Sequence, residues 1–264
     1  MSVAIVGVGA MGGALLEGFL LGGQPAKDVV VVGSAPERSE AIAAEYGVRA
    51  ASLDEAWAAD IVVLAVKPYQ VPDLLADATP SDSTVVVSVA AGVTIEQLET
   101  LAPAGAALVR VMPNTGSRFG LGMSGVVRGS SVPDDGFASV IELFDRVGET
   151  LVVGEEKLDA LMAISGSGPA YLFYVAEAMI EAGVHQGLTR AESELLVSQT
   201  FAGSSAQLSD SGKSATQLRE AVTSPAGTTA AALRKLDDHA VRGAFLAAVE
   251  ACRARALQMA AGSR

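Results

Sequence analysis

The segment Val222-Thr223-Ser224-Pro225-Ala226-Gly227-Thr228-Thr229 gathers four hydroxyl side chains and small residues just ahead of a predicted helix at 230–236. Such a turn is a ready anion site, because hydroxyls and unbonded N–H groups meet at the positive end of a helix. An N-cap alone would need one Ser or Thr; the surplus points to a carboxylate-binding loop. A second candidate stands near the start of the chain, where Gly7-Val8-Gly9-Ala10-Met11-Gly12 reads G-x-G-x-x-G. It follows a strand pattern and opens a helix, the context in which this motif binds a dinucleotide. The first Gly permits the tight turn, the second lets backbone approach a pyrophosphate, and the third packs helix on strand.

The second predicted strand, 29–32, bears on which dinucleotide is held. An NAD site usually places Asp or Glu at the end of this strand, for the ribose 2′-OH. Here Gly33-Ser34-Ala35-Pro36-Glu37-Arg38 follows, with no carboxylate at the strand end and a hydroxyl and a guanidinium after it. A 2′-phosphate is expected between Ser34 and Arg38, hence NADPH, with NADH at lower affinity; Arg38 also suits a solvated position in the first turn of a helix. Ala65-Val66-Lys67-Pro68 and Val89-Ala90-Ala91-Gly92 end two further strands, at the edge where cofactors sit in open α/β sheets. Either run is also compatible with a plain strand-to-helix turn and a solvated Lys67. Arg110-Val111-Met112-Pro113-Asn114-Thr115 ends another strand, and Ser165-Gly166-Ser167-Gly168-Pro169-Ala170-Tyr171 leads into a later helix. Small residues there serve equally to let helices approach or to let backbone come near a bound ring. The residues alone do not choose.

The elements that must position these groups fall into two classes. Up to about residue 154, short Val/Ile-rich runs at 3–6, 29–32, 61–65, 85–89, 107–112, 122–127 and 151–153 alternate with helical stretches. These stretches lie at 11–21, 37–46, 68–78, 95–101 and 134–147. Continuous β-branched runs separated by helices read as parallel strands covered on both faces, and so as a doubly wound sheet. After Gly154 the β runs stop, and helices are predicted at 155–164, 169–186, 190–209, 214–221, 228–238 and 240–261. We therefore expect an α/β fold: a Rossmann-type domain over 1–154 and an all-α domain over 155–264. Several late helices are apolar over more than one face, which calls for partners on several sides; the helical half should be buried in an oligomer.

Composition narrows the function. Of 264 residues, 30 are acidic and 18 basic, a formal charge of −12, and no Lys/Arg run supplies the footprint that nucleic acid requires. No uninterrupted apolar stretch reaches the length of a membrane helix. The single cysteine, Cys252, fits a reducing cytoplasm and reads as a packing residue. A soluble, cytoplasmic protein without a metal site, acting on a small molecule, is expected.

With these motifs in order along essentially the whole chain, the sequence resembles the pyrroline-5-carboxylate reductases. The Ser165–Tyr171 and 224–229 motifs are the family-specific ones. Departures are Gly116 where the family commonly has Pro, Ala226 where Gly is usual, and Ser52 where Asn is frequent. None removes a reacting group. The resemblance implies a helical domain that intertwines into a homodimer, often assembled further into a decamer, and an imino acid substrate held where a cofactor domain meets the dimer core. It implies that Ser224, Gly227 and Thr228 hold the substrate carboxylate and that Thr229 contacts the ring nitrogen as the residue nearest the chemistry. The cofactor set expected from these motifs and the resemblance comprises Gly7, Gly9, Ala10, Met11, Gly12, Ser34, Arg38, Ala65, Val66, Lys67, Pro68, Ala90, Ala91 and Asn114.

Two rivals differ in their chemistry. A hydroxyacid dehydrogenase of similar plan needs a base, usually a Lys of the second domain, yet no Lys occurs between Lys157 and Lys213. His185 and His239 sit at helix ends, where solvation accounts for them. A protonated imine already attracts hydride and needs no strong base. A non-catalytic NADP sensor would leave the hydroxyl loop without a purpose.

Overall fold

The computed structural model describes residues 1–260, with side chains to residue 258; the predicted helical residue 261 and the rest of 261–264 lie outside the described residues. The first half runs β1 (Val3–Val6), α1 (Ala10–Leu21), β2 (Val29–Val32), α2 (Pro36–Tyr46), β3 (Arg49–Ala50), α3 (Leu53–Ala56) and β4 (Ile61–Leu64). Then come α4 (Val71–Ala76), β5 (Val85–Ser88), α5 (Ile95–Leu101), β6 (Ala107–Met112), β7 (Gly122–Arg128), α6 (Asp134–Asp145) and β8 (Gly148–Val152). The helical half contains α7 (Glu155–Leu161), α8 (Gly168–His185), α9 (Arg190–Asp210), α10 (Ala215–Ala221), α11 (Thr228–Asp238) and α12 (Val241–Ala260).

The eight strands form one sheet in the order β3-β2-β1-β4-β5-β6-β7-β8. The first six are parallel, β7 is antiparallel to β6, and β8 is parallel to β7. This corrects the reading of the β runs as uniformly parallel. Nine residues separate β6 from β7, too few for a parallel crossover, which takes a dozen or more. A 3₁₀ turn at Thr115–Phe119 reverses the chain instead. The pair β3 and α3, not anticipated above, occupies residues 49–56. Its helix carries a capping box, Ser52 accepting from the Glu55 N–H and Glu55 from the Ser52 N–H.

Strand alternation sorts the core into two layers. Val3, Ile5, Val31, Val63, Val87 and Val109 face α1 and α6, where Phe19 and Phe144 meet edge to face at 5.5 Å. Ala4, Val6, Val62, Leu64, Val86 and Leu108 face the other side, with Trp57, Leu75 and Leu98. Both faces of the sheet are covered, so continuous valine runs are what these strands need.

By contacts the described chain divides into two compact units, Gly168–Glu250 forming one and the residues on either side of it the other. In the first-mentioned unit, α8 packs on α9 through a close approach: a Cβ on Gly183 would lie 2.6 Å from Ser193 Oγ. Ser193 and Val197 are its only buried residues, while Phe173, Tyr174, Leu195, Leu196, Leu236 and Leu246 are exposed. A unit with so little interior leaves its apolar faces for another surface to cover.

One ion pair fastens the helical half's first element to the sheet. Arg110, 2% exposed on β6, donates to the carboxylate of Glu155 at the start of α7, and the Ile95 N–H also donates to Glu155 at 3.4 Å. Breaking a buried pair strands a charge. Glu155→Gln should cost about 3 kcal/mol in chemical denaturation, the low end of the range because Glu155 keeps contact with water. Replacing both partners, as Arg110→Met with Glu155→Leu, should restore most of it. A Glu155→Gln curve that overlays the wild type would show that the pair contributes nothing.

Candidate active site

In the strand order 3-2-1-4 the chain switches direction around β1, and ligands of open α/β sheets bind beyond the carboxyl ends of the strands at that point. Gly7 ends β1 with φ +92°, its N–H donating to Val32 O at 2.8 Å. That backbone region suits glycine. A Cβ on Gly12 would lie 2.1 Å from Gly7 O, so the helix packs on the turn only as glycine. At Gly9, by contrast, a Cβ would meet nothing within 4 Å: the residue is open toward the space outside the turn. Gly9 is the N-cap of α1, with no side-chain cap and no acidic residue in the first turn. The N–H groups of this end are therefore left for an anion, as a pyrophosphate requires. Ala10 is exposed and Met11 half-buried beside it.

The adjoining strands add their own edges. Ala65 donates its N–H to Val6 O at 2.8 Å, which holds the turn after β4 against that after β1. Val66 and Pro68 are half-buried and Lys67 is exposed, its N–H bonded to Gln70 Oε1 at 3.2 Å. After β5, the Ala90 methyl is buried in the core, so this residue can offer a ligand its backbone only; Ala91 is half-buried. At the end of β2, Ser34 and Arg38 are exposed, and Arg38 makes no ion pair among the described residues. A Cβ on Gly33 would lie 3.1 Å from Arg38 Cγ, so the arginine stem folds back over the strand end. Ser39, which the sequence did not single out, fixes this turn: its hydroxyl accepts from the Gly33 N–H at 2.8 Å and donates to Ala35 O at 3.2 Å. No carboxylate stands at the end of β2, and this geometry fits a ribose 2′-phosphate.

Asn114, just beyond β6, is engaged within the protein. Its Oδ1 accepts from the N–H groups of Gly116 (3.1 Å) and Met123 (3.2 Å), and its Nδ2 donates to Ser165 O at 2.9 Å. Ser165 lies in a π-helical turn, Met162–Gly166, that follows α7. Ser167 Oγ and the half-buried thiol of Cys252 share a hydrogen bond at 3.2 Å, in which either group can donate.

The hydroxyl loop lies between α10 and α11. Thr223 Oγ1 donates to Arg219 O at 2.6 Å, closing the end of α10. The hydroxyls of Ser224, Thr228 and Thr229 have no partner among the described residues. Gly227 is the N-cap of α11, again with no side-chain cap and no acid in the first turn. Its N–H donates to Ser224 O at 3.1 Å, and a Cβ there would lie 2.4 Å from Ser224 Oγ. Glycine at 227 is what lets that hydroxyl sit over the helix end. Ala226 takes φ +56°, a conformation in which a side chain is strained by roughly 1–2 kcal/mol. The departure from Gly at this position therefore has a cost in the loop's own backbone.

The glycine turn at the switch point of an open α/β sheet is where such folds hold a dinucleotide, and known proteins show the class to be nicotinamide-dependent oxidoreductases. Residues 155–259 match the pyrroline-5-carboxylate reductase dimerisation family, and residues 2–92 the family described as NADP oxidoreductase, coenzyme F420-dependent. The pyrroline-5-carboxylate reductase of Corynebacterium melassecola is 40% identical over 268 residues, covering 98% of each chain. The solved structure of the Coxiella burnetii enzyme of the same name superimposes with a TM-score of 0.91 at 30% identity, covering 98% of both chains. That of Plasmodium falciparum pyrroline carboxylate reductase, with NADP bound, gives 0.87 at 29% identity and the same coverage. The chain belongs to the pyrroline-5-carboxylate reductase family.

The free guanidinium at the end of β2 yields a prediction. A hydrogen bond to a charged group contributes roughly 1.5–3 kcal/mol, or about ten- to a hundredfold in affinity. Arg38→Ala should weaken NADPH binding by about that factor and leave NADH binding nearly unchanged, measured by nicotinamide fluorescence. Equal losses for both cofactors would mean that Arg38 only supports the fold.

Proposed function

We propose that this chain reduces the C=N bond of 1-pyrroline-5-carboxylate to L-proline with NADPH. The observation that carries the reading is the 222–229 loop, where three hydroxyls without partners stand at an uncapped helix N-terminus. NADPH, when bound, supplies the hydride that the imine carbon accepts, and the C=N π pair takes a proton at nitrogen. The chain's residues are left with binding, orientation and exclusion of water. Gly7, Gly9, Ala10, Met11 and Gly12 would offer the pyrophosphate their backbone, Ser34 and Arg38 would hold the 2′-phosphate, and Ala65–Pro68 with Ala90 and Ala91 would line the path to the ring. Ser224, Gly227 and Thr228 would clamp the substrate carboxylate at the start of α11. Thr229, in the same first turn, would turn its hydroxyl to the ring nitrogen. A hydroxyl donates or accepts as that nitrogen changes from iminium to amine.

We infer in addition that 1–154 and 155–264 are the working domains. The exposed apolar side chains of α8, α9, α11 and α12 support a homodimer, with further assembly such as a decamer. Among the described residues no helix is long and apolar enough to cross a membrane. The net charge of −12 and the single cysteine support a cytoplasmic enzyme with no nucleic acid partner.

The test is steady-state turnover at the reduced-nicotinamide absorbance band, with NADPH saturating. The wild type should consume NADPH only when the imino acid is present; binding without consumption would make it a sensor. Thr229→Val, which keeps shape and loses the hydroxyl, should lower kcat by about ten- to a thousandfold, and Thr229→Ser should recover much of it. Ser224→Ala should raise KM more than it lowers kcat, because a carboxylate clamp acts alike in ground and transition states. Wild-type turnover in Thr229→Val would remove that residue from the chemistry.

A further inference from the structure

We propose that Asn114 is a positioning residue for hydride transfer: it holds the Ser165 turn at the nicotinamide end of the cofactor site. The proposal rests on the reductase reading above. With the pyrophosphate at the β1 turn and the adenosine at the end of β2, the other half of a dinucleotide extends over the carboxyl edges of β4, β5 and β6. Asn114 stands two residues beyond β6, on that side. Three of the four hydrogen-bonding positions of its carboxamide are taken by the protein. The network also sets the orientation of the amide, since two N–H groups face Oδ1 and one carbonyl faces Nδ2.

The two acceptor bonds do local work, closing the turn that reverses the chain between β6 and β7. The donor bond reaches across 51 residues to Ser165 O. A π turn carries one residue more than an α-helical turn, and such turns recur at functional sites. Here Ser165 Oγ donates back to Leu161 O at 3.1 Å and Ser167 N–H to Met162 O at 3.0 Å. Both bonds are internal to the turn. Met162 packs the start of the turn against Met112 and Val127. Among the described residues Asn114 adds the side-chain hydrogen bond from the sheet edge to Ser165, which bears on where the small residues 165–167 stand relative to the cradle.

Asn114→Asp separates the two roles, because a carboxylate still accepts from Gly116 and Met123 but has no hydrogen for Ser165 O. The carboxylate also faces the Ser165 carbonyl oxygen, so the expected result is a folded protein with a lowered melting temperature and an NADPH dissociation constant within about threefold of wild type. Its kcat should be roughly ten- to a hundredfold lower, the scale on which a misplacement of about an ångström acts. With NADPH deuterated at the transferred position, the isotope effect on kcat should increase, which a purely structural defect would not produce. Asn114→Ala, losing all three bonds, should melt earlier as well. Wild-type kcat in Asn114→Asp overturns the proposal, and so does an NADPH constant weakened in step with kcat, which would make Asn114 a direct ligand. Failure of the wild type itself to reduce the imino acid would instead overturn the reductase reading.

Discussion

A helix begins with N–H groups that nothing inside the helix can bond, and this chain closes some of these ends with side chains, sets acids near others and leaves a few open. At α3, α5, α9 and α10 a full capping box closes the end: Ser52 with Glu55, Thr94 with Gln97, Thr189 with Glu192, and Ser214 with Gln217. The carboxyls of Glu55 and Glu192, bonded first of all by the N–H of Ser52 and Thr189, are held below the usual carboxylate range. Their folded-state pKa is lowered, so this capping is complete above the usual carboxylate range and is lost as the pH falls through the lowered folded-state pKa. At α1 and α11 the N-cap is glycine, no side chain closes the end, and no acid stands in the first turn. Those two ends coincide with the two motifs that residue chemistry marks for anions. The proposed sites stand at ends that carry neither a side-chain cap nor an acid in the first turn.

Most of the fold was legible because its signals are local. Four-residue valine runs with helical stretches between them specify a covered parallel sheet, and the loss of such runs after Gly154 marks the change of class. The antiparallel β7 was hidden in residue type, since its Val126 and Val127 look like any other strand; only the nine-residue link to β6 betrays its direction. The short β3–α3 pair was missed because two residues make no pattern, although Ser52-Leu53-Asp54-Glu55 carries a capping signature.

The candidate site divides in the same way. The glycine turn and the hydroxyl loop are contiguous in sequence and can be read from it. Ser39, which orders the β2 turn, and Asn114, which reaches Ser165, act through single contacts that no spacing announces. The strain at Ala226 needed a backbone angle to be seen. In the helical half, sequence pattern alone pointed to shared apolar faces, and within Gly168–Glu250 only Ser193 and Val197 are buried, which leaves those faces exposed in the single chain.

The central claim is that the glycine-capped end of α1 is kept open for a charged ligand at the expense of helix stability. Gly9→Asp tests it most directly, since a Cβ there meets no neighbour within 4 Å and the residue has the extended backbone of an N-cap. An aspartate should cap the helix, raising stability by roughly a few tenths of a kcal/mol, while placing negative charge where the pyrophosphate would bind on the proposed reading. The account predicts a melting temperature at or above wild type together with NADPH binding weakened by roughly a hundredfold or more, the scale of a like-charge contact. Stable protein that binds NADPH with the wild-type constant would contradict it.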